Sequence, residues 1–386
     1  MEHALERAHG KELAAVFRKY GDLYVQKHNP SKRKLCVMRA IRDCRTKAMG
    51  GHKEKCSHCG DERFSYNSCR NRHCPKCQFL TKEKWIEKES QSLLPIQYYH
   101  VVFTIPAELN TLFLQNQKQA YGMLFAAVKS TLLQLSKDKK YLGAEIGCLS
   151  ILHTWGQNLA YHPHIHCIVT GGGLDASRTW LHTRDNFFLP VRVMSRLFRG
   201  KLLSYLKKAD RKKSLRSSND INAAISPLYK KEWIVYCKPP FKNAKNVIQY
   251  LGRYTHRIAI SNQRIIGIEN GKVSFHWRDY KDHNRKKLMT LDAVEFIRRF
   301  SQHILPPRFV KIRRYGILSN KKKTAALKIC RSVFKTQAPT VENKETWREA
   351  LFRIKGFDVT LCTECAKGHY HRLEILQPIH DLGRSP

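Results

Sequence analysis

The sequence predicts an α+β protein, on three observations. Runs of β-branched and aromatic residues, bounded by proline or glycine, recur between Tyr98 and Trp277. Stretches of helical periodicity lie among them, in an order that requires non-local strand pairing. Ahead of both sits a cysteine-rich stretch with C-x-x-C spacing, the mark of a separate metal-binding module.

Residues 1–50 read as basic helix, with Val37 to Arg42 as the last turns before the cysteines. Residues 81–94 read as a polar helix closed by Pro95, and 98–105 as a strand ended by Pro106. A long helix is expected over 109–135 and a strand over 146–155. A loop over 156–160 then returns the chain into a second strand, ended by Gly171-Gly-Gly173. Residues 198–213 read as a heavily basic helix, and 232–237 as a strand stopped by Pro239-Pro240. Asn270-Gly271 marks the turn of a hairpin over 264–277. A helix over 291–304 is broken by Pro306-Pro307. The expected division is a helical and zinc-binding domain over 1–94, a catalytic domain over 95–305, and a basic C-terminal region over 306–386 with a small Cys/His tail.

Lys and Arg number 71 against 31 Asp and Glu, a net charge of +40 over 386 residues. Such a charge strains a compact fold by self-repulsion unless a polyanion is at hand, and nucleic acid is the first candidate. An anionic membrane is the second, but no apolar run approaches the ~18 residues of a spanning helix. The start of the chain reads as a charged amphipathic helix and not as a secretory signal. Thirteen cysteines are an odd number, and seven fall between Cys36 and Cys77. That clustering favours reduced thiolates on Zn²⁺ in a cytoplasmic protein over disulfides.

Two constellations carry chemistry. In Tyr161-His-Pro-His-Ile-His-Cys-Ile-Val-Thr170, His164 and His166 are two apart on a strand and share one side, with Ile165 on the other. They can converge on one metal ion. In Lys245-Asn-Val-Ile-Gln-Tyr-Leu-Gly-Arg-Tyr254, Tyr250 and Tyr254 are four apart on a helix and share one face. A metal that polarises a phosphate and a phenol that attacks phosphorus suffice to cut DNA through a covalent phosphotyrosine.

Cys56-x-x-Cys59 and Cys74-x-x-Cys77, fourteen residues apart, are expected to close one tetrahedral zinc. Cys44, His52, Cys69 and His73 offer a second set, giving a cross-braced two-zinc layout, and Cys36 is a spare. Four protein ligands leave no open position, so such a module binds rather than catalyses. Arg45, Lys47, Arg70, Arg72 and Lys76 flank the ligands and are expected to grip phosphates. Cys362-x-x-Cys365, with His369 and His371 behind it, offers a third, weaker zinc knuckle.

With these modules laid out, the chain resembles the two-tyrosine rolling-circle transposases of bacterial insertion sequences, members of the HUH endonuclease superfamily. The resemblance rests on Tyr66-Asn-Ser-Cys-Arg-Asn-Arg-His-Cys-Pro-Lys-Cys77, His100-Val-Val-Phe-Thr-Ile-Pro106 and Gln157-Asn-Leu-Ala-Tyr-His-Pro-His-Ile-His166. It continues through Tyr250-Leu-Gly-Arg-Tyr-Thr-His-Arg-Ile-Ala-Ile-Ser-Asn262 and His303-Ile-Leu-Pro-Pro-Arg-Phe-Val-Lys-Ile-Arg-Arg-Tyr-Gly316. It implies an antiparallel sheet flanked by helices, behind a zinc domain that helps recognise transposon ends.

The resemblance further implies that His164, His166 and a third polar ligand hold Mg²⁺ or Mn²⁺. A tyrosine then attacks, leaving a 5′-phosphotyrosine and a free 3′-OH, and strand transfer needs no ATP. Tyr254 matches the position kept in one-tyrosine members, with Tyr250 as second nucleophile. For the third ligand, His162 would lie roughly 13 Å from His166 along an extended strand. His153, on the neighbouring strand, is preferred over Gln157 and Gln249. Arg253 and Arg257 are expected at phosphates. The partners implied are DNA, as transposon ends and single-stranded target, in the bacterial cytoplasm at the nucleoid. Rival readings are a replication initiator or relaxase of the same superfamily, a non-catalytic zinc-dependent DNA-binding protein, and an RNA-binding protein.

Overall fold

The computed structural model describes residues 11–184, 187–217, 220–241, 246–247, 250, 252, 258–280, 282–337 and 345–379. Helices α1 (Leu13–His28) and α2 (Lys32–Arg42) open the chain, followed by strands β1 (Gly51–Cys56) and β2 (Glu62–Tyr66) and helix α3 (Gln78–Ser90). Then come β3 (Tyr98–Thr104), α4 (Asn110–Gln115), α5 (Gln117–Lys137), β4 (Glu145–Trp155), β5 (Tyr161–Leu174) and β6 (Trp180–His182). Helices α6 (Val191–Arg211) and α7 (Ile221–Ile225) lead to β7 (Val235–Phe241). The rest comprises β8 (Ile265–Glu269), β9 (Lys272–Asp279), β10 (Arg285–Asp292), α8 (Ala293–Gln302), β11 (Ile312–Gly316), α9 (Lys323–Val333), α10 (Trp347–Lys355) and β12 (Tyr370–Leu376).

The α+β class is as expected. The central sheet runs β11-β4-β5-β3-β7, with β6 on β5, and every pairing is antiparallel. Because side chains alternate along a strand, each face gathers its own core. One face presents Val101, Phe103, Ile165, Cys167 and Val169 to Phe125 and Val128 of α5 and Phe198 and Leu202 of α6. Phe103 and Phe198 are fully buried and meet edge to face at 5.1 Å. Truncating either to alanine removes a side chain whose loss costs about 3–5 kcal/mol in a close-packed core. The other face presents Tyr98, Leu149, Ile151 and Ile168 to Val247, Tyr250, Leu327 and Cys330. A third core joins α1, α2 and α8 to the sheet β8-β9-β10.

Several boundaries differ from expectation, each for a local reason. The helix expected over 109–135 is broken at Asn116 (φ −125°, ψ 35°). Its side-chain amide donates to Leu112 O and Arg216 O and its side-chain carbonyl accepts from Arg216 N, so contacts to the 216 segment pin a kink there while the backbone N–H keeps its bond to Leu112 O at 3.1 Å. Gly171-Gly-Gly173 does not end β5. A Cβ on Gly172 would sit 2.5 Å from Leu181 O and 2.7 Å from the Trp180 ring, so the glycines let neighbouring backbone close in. Pro239-Pro240 does not stop β7, which is an edge strand whose register to β3 shifts between Tyr98 and His100, where proline costs no ladder bond. Strand β10 had no signal, because its lysine-rich sequence lacks an apolar alternation.

Strand pairing also crosses the expected domain boundaries. β11, beyond residue 305, is the edge strand of the central sheet. β12 pairs with β1, so the C-terminal tail joins the N-terminal module in a sheet β12-β1-β2.

Candidate active site and cysteine centres

Register places the histidines. Across β4 and β5, His153 faces His164 and Ile151 faces His166; across β3 and β5, Val102 faces His166. His153 is in phase with Leu149 and Ile151, His164 and His166 with Ile168, and His100 with Tyr98. All four therefore emerge on the sheet face that packs against Val247 and Tyr250.

His153, His164 and His166 each bring a ring nitrogen within 4.8 Å of the other two. Their ring centroids are 4.6 to 5.5 Å apart. His164 Nδ1–H donates to the His162 carbonyl at 2.6 Å, which makes Nε2 the lone-pair nitrogen. His162 thus meets the site through its backbone, and its ring lies outside the cluster. Gln157 is also elsewhere, its amide donating to the Tyr280 hydroxyl at 2.9 Å. Trp155 stacks on His153 with centroids 4.9 Å apart.

His100 was not singled out from the sequence. Its Nε2 lies 2.9 Å from His166 Nδ1, and the rings stack 5.2 Å apart. The buried Tyr250 hydroxyl reaches both, 2.5 Å from His100 Nε2 and 3.2 Å from His166 Nδ1. Burial first, then the charges of Lys238 and His164, lower the His100 pKa to about 3, so its ring is neutral at physiological pH. The available signal was a histidine in phase with a buried face in a strand otherwise apolar on both sides. Asn246, Val247, Tyr250 and Gly252 are helical. Tyr254, Arg253, Arg257 and Gln249 lie outside the described residues.

The cysteines divide differently from the expected cross-brace. Cys44, Cys69, Cys74 and Cys77 form one centre, and Cys56, Cys59, Cys362 and Cys365 another. The reason is topological. The hairpin β1–β2 carries Cys56 and Cys59 to its tip, away from Cys74 and Cys77, and the 67–77 loop folds back to Cys44 at the end of α2. In the first centre Sγ of Cys77 lies 3.5 Å from that of Cys44 and 3.6 Å from that of Cys69. Hydrogen bonds from Cys44, then Cys69 and Cys74, hold the Cys77 thiol far below the usual thiol range. His52 is not a ligand of either centre; its Nε2 pairs with Glu54 at 3.0 Å. His73 is not one either. It is buried beside Leu305, whose N–H donates to its Nε2 at 3.3 Å, and burial holds it neutral.

The flanking cations separate too. Arg45, Lys47 and Arg70 are exposed. Arg72 turns inward and donates to Phe309 O at 2.6 Å, and Lys76 pairs with the buried Glu12 at 2.8 Å. These two fasten the cysteine module to its neighbours rather than facing outward.

Residues 16–105 match a family model described as a transposase zinc-binding domain, and residues 147–325 one described as a putative transposase. The chain is 44% identical over 384 residues, 96% of each chain, to a putative transposase, y4qJ, of Sinorhizobium fredii. It is 28% identical over 285 residues, 72% of this chain and 68% of the other, to the transposase for insertion sequence element IS801 of Pseudomonas savastanoi pv. phaseolicola. These matches place the basic α+β chain among DNA-processing proteins. The chain belongs to the two-tyrosine transposase family of bacterial insertion sequences, with its zinc-binding domain. A transposase acts on DNA, and no described helix is long and apolar enough to cross a membrane.

Proposed function

We propose that this transposase cuts single-stranded DNA at its element's ends by an HUH-type reaction and rejoins it to a target strand. The observation that carries this reading is the convergence of His153, His164 and His166 on the face where Tyr250 packs. Three converging imidazoles, one with its tautomer fixed by a backbone carbonyl, fit a divalent ion, and imidazole suits Mn²⁺ better than Mg²⁺. An ion held there would polarise the scissile phosphate and favour departure of the 3′ oxygen.

The chain's own groups supply the rest. The phenolic oxygen of Tyr254 attacks phosphorus. A P–O bond forms to tyrosine and the P–O3′ bond breaks, so the phenol loses its proton and the departing strand gains a 3′-OH. A later 3′-OH attacks the same phosphorus and releases the tyrosine. The number of phosphodiester bonds is conserved, so no nucleotide is consumed. Tyr250 is the second nucleophile. Its hydroxyl, shared between His100 and His166, supports a role that waits until the first adduct has formed. The first zinc centre, with exposed Arg45, Lys47 and Arg70 around it, would help hold the element's ends through their phosphates. Arg253 and Arg257 would hold the scissile or adjacent phosphate. The protein would work in the bacterial cytoplasm, at the nucleoid.

The test is a cleavage assay on labelled single-stranded DNA carrying the element's ends, with Mg²⁺ or Mn²⁺, resolved on a denaturing protein gel. The reading expects a metal-dependent covalent band that His164→Ala abolishes. Tight DNA binding without any such band would instead leave a zinc-dependent DNA-binding protein.

A further inference from the structure

We propose that Cys56, Cys59, Cys362 and Cys365 form a second structural Zn²⁺ site that fastens the C-terminal segment to the N-terminal module. Half of its ligands lie outside both matched regions, which span residues 16–105 and 147–325. The two pairs are about 300 residues apart in sequence and meet only through the fold.

The sulfur geometry fits. Sγ of Cys56 lies 3.7 Å from that of Cys365, and Sγ of Cys59 lies 3.7 Å from that of Cys362. A tetrahedron with ~2.3 Å Zn–S bonds has S–S edges of ~3.8 Å, whereas a disulfide needs ~2.05 Å. Each pair also sits in the same turn. Gly60 N–H donates to Cys56 O at 3.3 Å, and Ala366 N–H donates to Cys362 O at 3.0 Å. The residue after each knuckle is left-handed, Gly60 at φ 77° and Ala366 at φ 52°. Backbone donors point at the sulfurs: His58 N–H at Cys56 Sγ, 3.4 Å, and Gly368 N–H at Cys365 Sγ, 3.5 Å. Such bonds stabilise thiolates, the form that binds metal. A Cβ on Gly368 would come within 2.6 Å of Cys56 Sγ, so the second knuckle closes on the first only with glycine there.

The segment needs such a fastening. β12 is exposed along most of its length, with Leu373 49% and Ile375 62% accessible. Among the described residues, the buried apolar cluster at this junction consists of Cys56, Cys362 and Tyr370, with Cys365 partly buried beside them. Tyr370 donates to Asp61 at 2.6 Å, and Arg63 stacks on its ring at 3.7 Å. A patch this small does not offset the chain entropy of ordering over twenty residues, and metal binding to such a segment is its folding energy. The site holds whether or not the strand-cleavage reading does.

The experiment is metal analysis of the purified full chain by mass spectrometry under native conditions, with the double variant Cys362→Ser/Cys365→Ser alongside. Wild type is expected to carry two zinc ions and the variant one. Hydrogen exchange is the second readout: residues 357–376 lose protection in the variant while β3 to β5 keep theirs. Wild type with a single zinc, a variant that keeps two, iron in place of zinc, or a Cys56–Cys365 disulfide in the reduced cytoplasmic preparation would each overturn the proposal.

Discussion

Acidification should loosen the turn that carries the histidine strand, and His303 is the group responsible. It is fully buried, and burial lowers its pKa from 6.5 to about 4. The neutral ring donates from Nε2 to Leu159 O at 3.1 Å and accepts at Nδ1 from the Thr154 hydroxyl at 3.2 Å. These partners bracket the loop between β4 and β5, one residue from His153 and two from Tyr161. Above pH 6.5 the ring is neutral in both folded and unfolded chains and the group is indifferent to pH. As pH falls from about 6.5 to about 4 the unfolded chain takes up a proton that the folded one refuses, so stability is lost through that window. The difference between the two values corresponds to about 3 kcal/mol. His303→Gln keeps a neutral donor near Leu159 O and cannot titrate. Urea unfolding of both proteins, from about pH 7 to about pH 4, cancels the carboxylates and thiolates they share. The stability of wild type relative to the variant should fall by about 3 kcal/mol across the window. A difference that stays flat would refute the burial argument.

Three further outcomes are expected. His164→Ala should lower metal-dependent cleavage by about 100-fold or more, since it removes a ligand to charge stabilisation worth several kcal/mol, while DNA binding in a mobility-shift assay stays unchanged. Tyr250→Phe keeps the ring against His100 and Phe241 and deletes only a buried hydroxyl, so it should cost about 1–2 kcal/mol in denaturant unfolding. It should also leave the first DNA adduct intact and block the second; loss of the first adduct would reverse the assigned order of the tyrosines. Gly172→Ala drives a methyl into Leu181 O and the Trp180 ring, and should destabilise by about 1–3 kcal/mol or more, read as a lower unfolding midpoint.

The sequence made β3, β4 and β5 legible because each is a β-branched run punctuated by proline or glycine. It also made the pairing of His164 with His166 legible, because a spacing of two fixes a shared face. The place of His153 opposite His164 followed from treating 156–160 as a short return. Other features were hidden for physical reasons. C-x-x-C spacing identifies half-sites and is silent on which halves share an ion. Cys44 and Cys69 reach Cys74 and Cys77, and Cys56 and Cys59 reach Cys362 and Cys365, through tertiary folding that local spacing does not encode. β10 and β11 are too polar to announce themselves, and β11 draws its place from pairing with β4. Arg72 and Lys76 look like phosphate ligands in a basic string, yet Phe309 O and Glu12 bind them. His100 was hidden inside a strand that its neighbours explained well enough without it.

The most direct test of the central claim is to locate the DNA on the protein. After reaction with single-stranded ends in Mn²⁺, nuclease trimming and trypsin, Tyr250 falls on the peptide 246–253 and Tyr254 on the peptide 254–257, because Lys245, Arg253 and Arg257 are the cleavage points. Mass spectrometry should find a nucleotide-phosphate adduct on the Tyr254 peptide after a single cleavage, and none when metal is withheld. An adduct on the Tyr250 peptide instead would reverse the order of the two tyrosines, whereas an adduct on a residue other than these two, or none on either peptide despite bound DNA, would contradict the phosphotyrosine account.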